Sequence, residues 1–432
     1  MGGLAFSLDA DATQRTRLEA VLLGIATAFV AVNTAALALL GLGGDSVLVQ
    51  SLAWGVSAWG GWWYLATRLP GRDPYLYPLV MFLAGWGLLL IDRLAPNFSD
   101  RQTVWLILSV MALCVTATTP WILRWLRRYR YLLLLFGLGL LISTIVLGRN
   151  PSGLVGAPAL WLGVGGVFFQ PSELLKIILV AFLASYLSDQ YLTLRLSGNR
   201  WWQQAWMSPR ILGPMLLMWS ICVVVLVWQR DLGTAMLFFL IFIVLVYIAS
   251  GQWWLLVSGA GLVVVAGAAA YVIFAVVRLR VDIWLNPWPD ADGRAYQIVQ
   301  SLMAFGSGGV FGQGIGRGAP SYIPVVHSDF VFAALAEEWG LVGVVALLGV
   351  FSVVLMRGMR VAIDQQRNPF NVLLAAGLTT SLGVQTLLIL GGVLKLLPLT
   401  GVTLPFVSYG GSSLLMSFVM VGLLLRLSCE RD

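Results

Sequence analysis

Apolar runs of about 20 residues recur along the chain, beginning near residues 19, 47, 75, 102, 131, 172, 211, 232, 253, 329, 370 and 411. Short segments rich in Arg, Asp, Pro and Gly separate them. A helix needs about 20 mostly apolar residues to cross a hydrocarbon layer ~30 Å thick, so the pattern predicts twelve membrane-spanning helices. Strands of a membrane barrel would be about half as long and would alternate in polarity, which these runs do not. The expected fold is an all-α polytopic bundle with mostly short turns and one long connection, from Arg278 to Ser328.

Composition narrows the function classes. The 432 residues are 59% apolar and only 10% charged, whereas soluble proteins are about a quarter charged. Cys114, Cys222 and Cys429 fall in or beside apolar runs and read as small core residues rather than a disulfide framework. His327 is the single histidine and no Cys/His cluster exists. Zinc and most transition-metal chemistry are thereby excluded, leaving open only a hard cation such as Mg²⁺ held by carboxylates. The net charge of +7 comes from arginines dispersed over the membrane-flanking connections, a pattern of topology rather than of nucleic-acid binding.

Those basic residues set the expected orientation. Connections on the side of residue 1 carry sixteen Lys and Arg, among them Arg15, Arg17, Arg195, Arg200, Arg210 and Arg431, against eight on the other side. The positive-inside rule then places both termini in the cytoplasm and the long 278–328 loop outside. The first apolar run follows a polar stretch with Asp9 and Asp11 and lacks a cleavage site after it, so it is expected to remain attached.

Ionisable side chains inside lipid are costly and mark functional candidates; four segments stand out. Gln170-Pro171-Ser172-Glu173-Leu174-Leu175-Lys176 opens the sixth span: Pro171 signals a helix start, Glu173 complements the helix terminus, and Glu173 and Lys176 share a face. Such a pair either lines a cavity or fixes helix packing. In Gln229-Arg230-Asp231-Leu232-Gly233-Thr234, Asp231 caps the next helix or shapes an outward pocket. The long loop holds Asn286-Pro287-Trp288-Pro289-Asp290-Ala291-Asp292-Gly293, read as consecutive turns, then an amphipathic helix from Tyr296 to Phe305. Taken alone, Asp290 and Asp292 read as turn residues.

Further along that loop, Gly312, Gly314 and Gly316 form a G-x-G-x-G pattern without the strand and helix a nucleotide site requires. The loop closes at His327-Ser328-Asp329, where Ser328 or Asp329 suits a helix cap. Glu337 and Glu338 follow two turns inside the tenth span, where at least one needs a partner. The fourth segment, Leu397 to Ser413, is too apolar for a free loop and too broken for a helix; such backbone persists at membrane depth only against protein or water. Together the four predict a cavity opening outward.

In this order the segments FQPSELLK (169–176), QRDLGT (229–234), NPWPD (286–290), YQIVQSLMAFGSGGVFGQGIG (296–316), YIPVVHSDFVFAALAEEWG (322–340) and LPLTGVTLPFVSYGGSS (397–413) resemble the SEDS family of bacterial cell-wall polymerases, the RodA, FtsW and SpoVE type. The likeness runs from about residue 75 to the end. It implies a ten-span core at 75–432 with extracytoplasmic loop 278–328, preceded by a tail and two extra spans at 1–74. It also implies polymerisation of lipid II on the outer face of the cytoplasmic membrane, for elongation or division, with a class B penicillin-binding transpeptidase as partner. By the same resemblance Asp290 is the essential loop acid, Glu173 and Lys176 line the cavity, and His327, Ser328 and Asp329 match the H-[ST]-D element.

The chain departs from the family pattern at several positions. Arg230 and Ala291 stand for prolines, Ala295 and Lys395 for glycines, and Ala157-Pro158-Ala159-Leu160 lacks an arginine before Trp161. If that arginine serves phosphate, the task passes to Lys176, Arg149, Arg278, Arg280, Arg294 or a metal ion. The implied chemistry is inverting: one carboxylate base activates the acceptor hydroxyl, and the departing pyrophosphate needs cationic stabilisation rather than protonation. Asp290 is the expected base. Glu173, Lys176, Arg294, His327, Asp329, Ser408 and Ser412 are the expected substrate contacts. The rival reading is a flippase of lipid-linked precursors, since buried charge pairs and broken helices also mark transport pathways.

Overall fold

The computed structural model describes residues 12–42, 46–150, 159–165, 167–196 and 209–430. Asp9, Asp11, Ala157, Pro158, Arg200 and Arg431 lie outside the described residues.

Each apolar run becomes a helix: α1 (Ala12–Leu40), α2 (Val47–Arg68), α3 (Leu76–Leu94), α4 (Pro96–Thr118), α6 (Arg130–Leu147), α7 (Pro171–Leu196), α8 (Pro209–Trp228), α9 (Leu232–Ser250), α10 (Trp254–Ile273), α13 (Val331–Asp364), α14 (Pro369–Val393) and α15 (Gly411–Cys429). Ten of these are long and apolar enough to cross a membrane on their own. The other two are α2, diluted by Gln50, Ser51 and Ser57, and α8, whose apolar stretch is Gly213–Trp228. Short helices α5 (Ile122–Arg128), α11 (Ala275–Leu285) and α12 (Tyr296–Gly308) are the other α-helices among the described residues. A hairpin of β1 (Leu162–Val164) and β2 (Val167–Phe169), absent from the sequence reading, joins α6 to α7.

Helices α3, α7, α14 and α15 are covered along most of their spans, whereas α10 is almost bare. The former make the centre of the bundle, and the latter faces lipid. Lipid tails are as apolar as leucine, so close helix approach depends on small residues. A side chain at Gly422 would run into Thr116 and Leu113 of α4, and one at Gly87 into the backbone of Val407.

Helices α1 and α2 pack on α3 and α4: Trp54 Nε1 donates to the Met81 carbonyl (3.0 Å) and Tyr77 Oη to that of Ala58 (2.8 Å). At the end of the bundle where α1 begins and α15 finishes, Arg72 pairs with Glu19, and neighbouring Asp73 accepts Arg357 Nε at 2.8 Å while its amide donates to Ser428 Oγ at 3.0 Å.

The opposite end carries the long connection, in which α11, a 3₁₀ turn at Trp288–Asp290, α12 and a second 3₁₀ turn at Pro320–Tyr322 precede α13. Helix α13 is broken at Gly340 (φ 63°, ψ −162°). Residues 309–314 lie along the break: Gln313 and Gly314 amides donate to the Glu337 and Glu338 carbonyls, and Leu341 and Val342 amides donate to those of Gly309 and Val310. Here the G-x-G-x-G pattern finds its reason. Gly312, Gly314 and Gly316 all have positive φ (80°, 98° and 71°), and a side chain on Gly312 would sit 2.1 Å from the Glu338 carbonyl oxygen. At least one of Glu337 and Glu338 was expected to need a partner, and both have one: Glu337 Oε1 accepts the Ala319 amide (2.9 Å), and Glu338 Oε1 pairs with Arg93 Nε (2.7 Å).

Candidate active site

Pro171 occupies the first position of α7, so Glu173 falls in its first turn and Lys176 one turn later on the same face. Lys176 Nζ donates to Glu173 Oε2 at 2.7 Å and to Gln385 Oε1 of α14 at 2.6 Å. Gln385 Nε2 donates in turn to the Thr403 carbonyl (2.9 Å) and reaches Ser413 Oγ (3.4 Å), to which Thr403 Oγ1 donates at 2.8 Å. The ammonium is 1% exposed and Glu173 14%. A charge so far from water persists because each partner is supplied by protein. Lys176 thus ties α7 to α14 and to the 394–410 segment, and two of its three donors are taken.

Asp231 and Asp329 stand at the same end. Asp231 caps α9, with Oδ1 accepting the Thr234 amide (3.2 Å), and its Oδ2 accepts Gln170 Nε2 (3.4 Å), so the cap also joins the start of α7. Asp329 Oδ1 accepts Ser328 Oγ at 2.7 Å. The expectation that Ser328 or Asp329 caps α13 is corrected: the capping position is Phe330, without a side-chain cap bond, because the two side chains bond each other.

Arg280 of α11 lies within electrostatic reach of both acids, and its Nη1 donates to the Thr400 carbonyl (3.3 Å). Burial raises the pKa of both acids above 3.8 and lowers that of Arg280. Glu173 pushes Asp231 further up, whereas Arg280 pulls both acids down.

Asp290 closes the 3₁₀ turn Trp288–Asp290 and is paired with Arg294 one helical turn on (Nε to Oδ2, 2.9 Å), with side-chain exposures of 43% and 72%. Its Oδ1 lies over Gly293, where a β-carbon would approach within 2.1 Å, which accounts for glycine at that place. The amides of Gly293 and Ala295 both donate to the Asp290 carbonyl. Ala295 is fully buried and Trp284 Nε1 donates to the Lys395 carbonyl (3.1 Å), so the base of this turn is anchored while its acid stays accessible. Among the described residues, no hydrogen bond or ion pair joins Asp290 or Arg294 to the Lys176 network.

The remaining candidates hold the 394–410 segment. His327 stacks on Phe98 (4.9 Å) and meets Tyr409 edge-on, and its carbonyl accepts the Tyr409 amide (2.8 Å). Burial lowers its pKa, favouring neutral imidazole. Ser408 Oγ donates to the Ser328 carbonyl (2.6 Å) and accepts the Leu404 amide (3.0 Å). Ser412 is buried in the first turn of α15. Among the described residues, no group of three or more His, Cys, Asp or Glu side chains could hold a metal ion. Thr403 and Ser413 fall in the fourth segment singled out from sequence, whereas Gln385 was missed, although a glutamine in an apolar span was the available signal.

The fold and this charged cluster define a polytopic helical membrane protein with its polar machinery at one end of the bundle. Residues 75–432 match the family model for RodA, FtsW and SpoVE, described as "Cell cycle protein". The peptidoglycan glycosyltransferase RodA of Mycobacterium tuberculosis is 38% identical over 88% of this chain and 84% of its own length. The probable peptidoglycan glycosyltransferase FtsW of Pseudoalteromonas translucida is 33% identical over 83% and 89%. Among solved structures, a chain from a peptidoglycan synthase complex that coordinates polymerization and crosslinking superposes with a TM-score of 0.69 at 29% identity, covering 84% of this chain and 99% of that one. The crystal structure of Thermus thermophilus RodA gives 0.59 at 29% identity, with coverage of 83% and 97%. The chain belongs to the RodA/FtsW/SpoVE family and is a multi-pass protein of the inner membrane.

Proposed function

We propose that the protein is a peptidoglycan glycosyltransferase that polymerises lipid II into β-1,4 glycan strands on the outer face of the cytoplasmic membrane, beside a class B penicillin-binding transpeptidase. The end of the bundle bearing the long loop is then extracytoplasmic and both termini are cytoplasmic, in line with the bias of basic residues. The observation that carries the reading is the gathering of Glu173, Lys176, Asp231, Arg280 and Asp329 at the end that also presents the accessible Asp290 carboxylate. One accessible base near fixed cations is what inverting transfer from a sugar pyrophosphate requires.

In this mechanism Asp290 takes the proton from the acceptor 4-hydroxyl as that oxygen attacks the donor carbon, and the bond to the lipid pyrophosphate breaks with its electrons leaving on phosphate. Arg294 keeps the carboxylate aimed. Glu173, Lys176 and Gln385 hold the cavity wall in shape. His327, Asp329, Ser408 and Ser412 set the walls against which the disaccharides lie.

The test incubates the purified full chain, with and without its transpeptidase, with labelled lipid II and follows glycan that muramidase digests. Polymer from the wild type and none from Asp290→Ala is expected; undiminished polymer from Asp290→Ala removes the assignment. Lipid II movement across vesicles without polymer would instead establish the flippase.

A further inference from the structure

The leaving pyrophosphate needs a cation, and the structure narrows the choice. Among the candidates, Lys176 is buried and engaged by Glu173 and Gln385. Arg278 is spent on the Tyr271 and Val272 carbonyls at the end of α10 and on the Tyr271 ring. Arg294 points into solvent on Asp290. Arg149 is exposed at the bridge to Trp161. Arg280 differs from all of them: it is partly buried and makes one hydrogen bond, to the Thr400 carbonyl.

Two acids face Arg280, yet among the described residues neither Asp231 nor Asp329 comes within the 4.0 Å of an ion pair. Both carboxylates act on the guanidinium through space without pairing with it, so its fork is not spent on either acid. Thr400 Oγ1, on the residue whose carbonyl takes Arg280, is shielded from solvent and has no hydrogen-bond partner. Thr400 is itself fixed, because its carbonyl lies 2.3 Å from where a side chain on Gly233 would begin, so α9 presses directly on it. The site is rigid, carries unspent donors and has an orphaned hydroxyl.

We propose that Arg280, with Thr400 Oγ1, binds the pyrophosphate headgroup of the lipid-linked strand, taking the place of the arginine missing before Trp161; this rests on the polymerase reading above. The guanidinium fork matches two phosphate oxygens at once, which an ammonium cannot do. Burial has already pushed Asp231 and Asp329 toward their neutral forms, so an arriving anion meets less repulsion than two full charges would give. Residues 280–285 of α11, about 8 Å of helical rise, and one turn separate this cation from Asp290. The base and the leaving-group contact are therefore carried on one short stretch of the long connection.

The experiment measures binding as well as turnover, so that it survives failure of the polymerase reading. The full chain in nanodiscs is titrated with undecaprenyl pyrophosphate, undecaprenyl monophosphate and inorganic pyrophosphate, and the same lipids compete in lipid II polymerisation. Arg280→Gln is expected to weaken undecaprenyl pyrophosphate binding at least tenfold and to leave monophosphate binding within twofold, with Arg280→Lys between. Inorganic pyrophosphate competing in the wild type shows that the headgroup alone is read; no competition shows that the lipid supplies the rest.

Wild-type affinity in a folded Arg280→Gln protein overturns the proposal, whether or not any polymer forms. Should both arginine variants fail to fold, Thr400→Val decides: a threefold or greater loss of pyrophosphate affinity supports the site and no change refutes it. A wild type that binds undecaprenyl pyrophosphate through Arg280 but makes no glycan would refute the polymerase reading alone.

Discussion

Replacing Lys176 by methionine keeps the length of the side chain and removes its charge. Lys176 is 1% exposed and Glu173 14%. Breaking a buried ion pair by deleting one partner costs about 3–5 kcal/mol, chiefly because the other charge is left alone. Glu173 retains some access to water, which places the cost near about 3 kcal/mol, and Gln385 Oε1 loses its donor for about 1 kcal/mol more. Adding Glu173→Gln removes the stranded charge and should restore about 2 kcal/mol.

The unfolding entropy of a 432-residue chain is about 0.9 kcal/mol per degree at about 2.1 cal/mol/K per residue, so the single variant should melt about 4 °C lower and the double variant about 2 °C lower. Tryptophan fluorescence of detergent-solubilised protein during a slow thermal ramp reads both. Lys176→Met melting with the wild type, or a double variant no better than the single, would show that the pair does not hold α7 against α14.

Three further expectations concern the backbone and the acids. Gly312→Ala forces a β-carbon into the Glu338 carbonyl at positive φ and should cost more than about 2 kcal/mol, whereas Gly306→Ala, facing open space within α12, should gain about 0.5–1 kcal/mol; melting temperatures separate them. Lys395 stands at φ 58°, so Lys395→Gly should raise stability by about 1 kcal/mol, and a drop in melting temperature would contradict that. Because the folded Asp329 titrates above 3.8, the native state holds its proton longer than the unfolded chain, and stability falls as pH rises through that window. Asp329→Asn should therefore gain melting temperature over the wild type near pH 7 and lose the advantage near pH 4; equal differences at both pH values would rule out the titration.

The spans were legible because lipid demands long apolar runs, and the boundaries at Pro171, Pro369 and Asp231 follow from residues that start or cap helices. The charged segments were legible for the same reason. What joins them was not. Gln385 lies more than two hundred residues from Lys176, and no local pattern states that they meet. The β1–β2 hairpin and the break at Gly340 were also missed, the latter because its backbone partners come from the preceding loop. The Asp329 side chain was misjudged as a cap because its competitor, the Ser328 hydroxyl, is adjacent in sequence and wins by proximity.

The fracture in α13 bears on how the protein folds. Groups at Glu337, Glu338, Leu341 and Val342 depend on the strip 309–314 for their hydrogen bonds, and each such group left bare in hydrocarbon would cost several kcal/mol. Helix α13 is therefore not an independent rod: its backbone is satisfied at the break only when the strip ahead of it lies alongside, which couples the folding of these two segments.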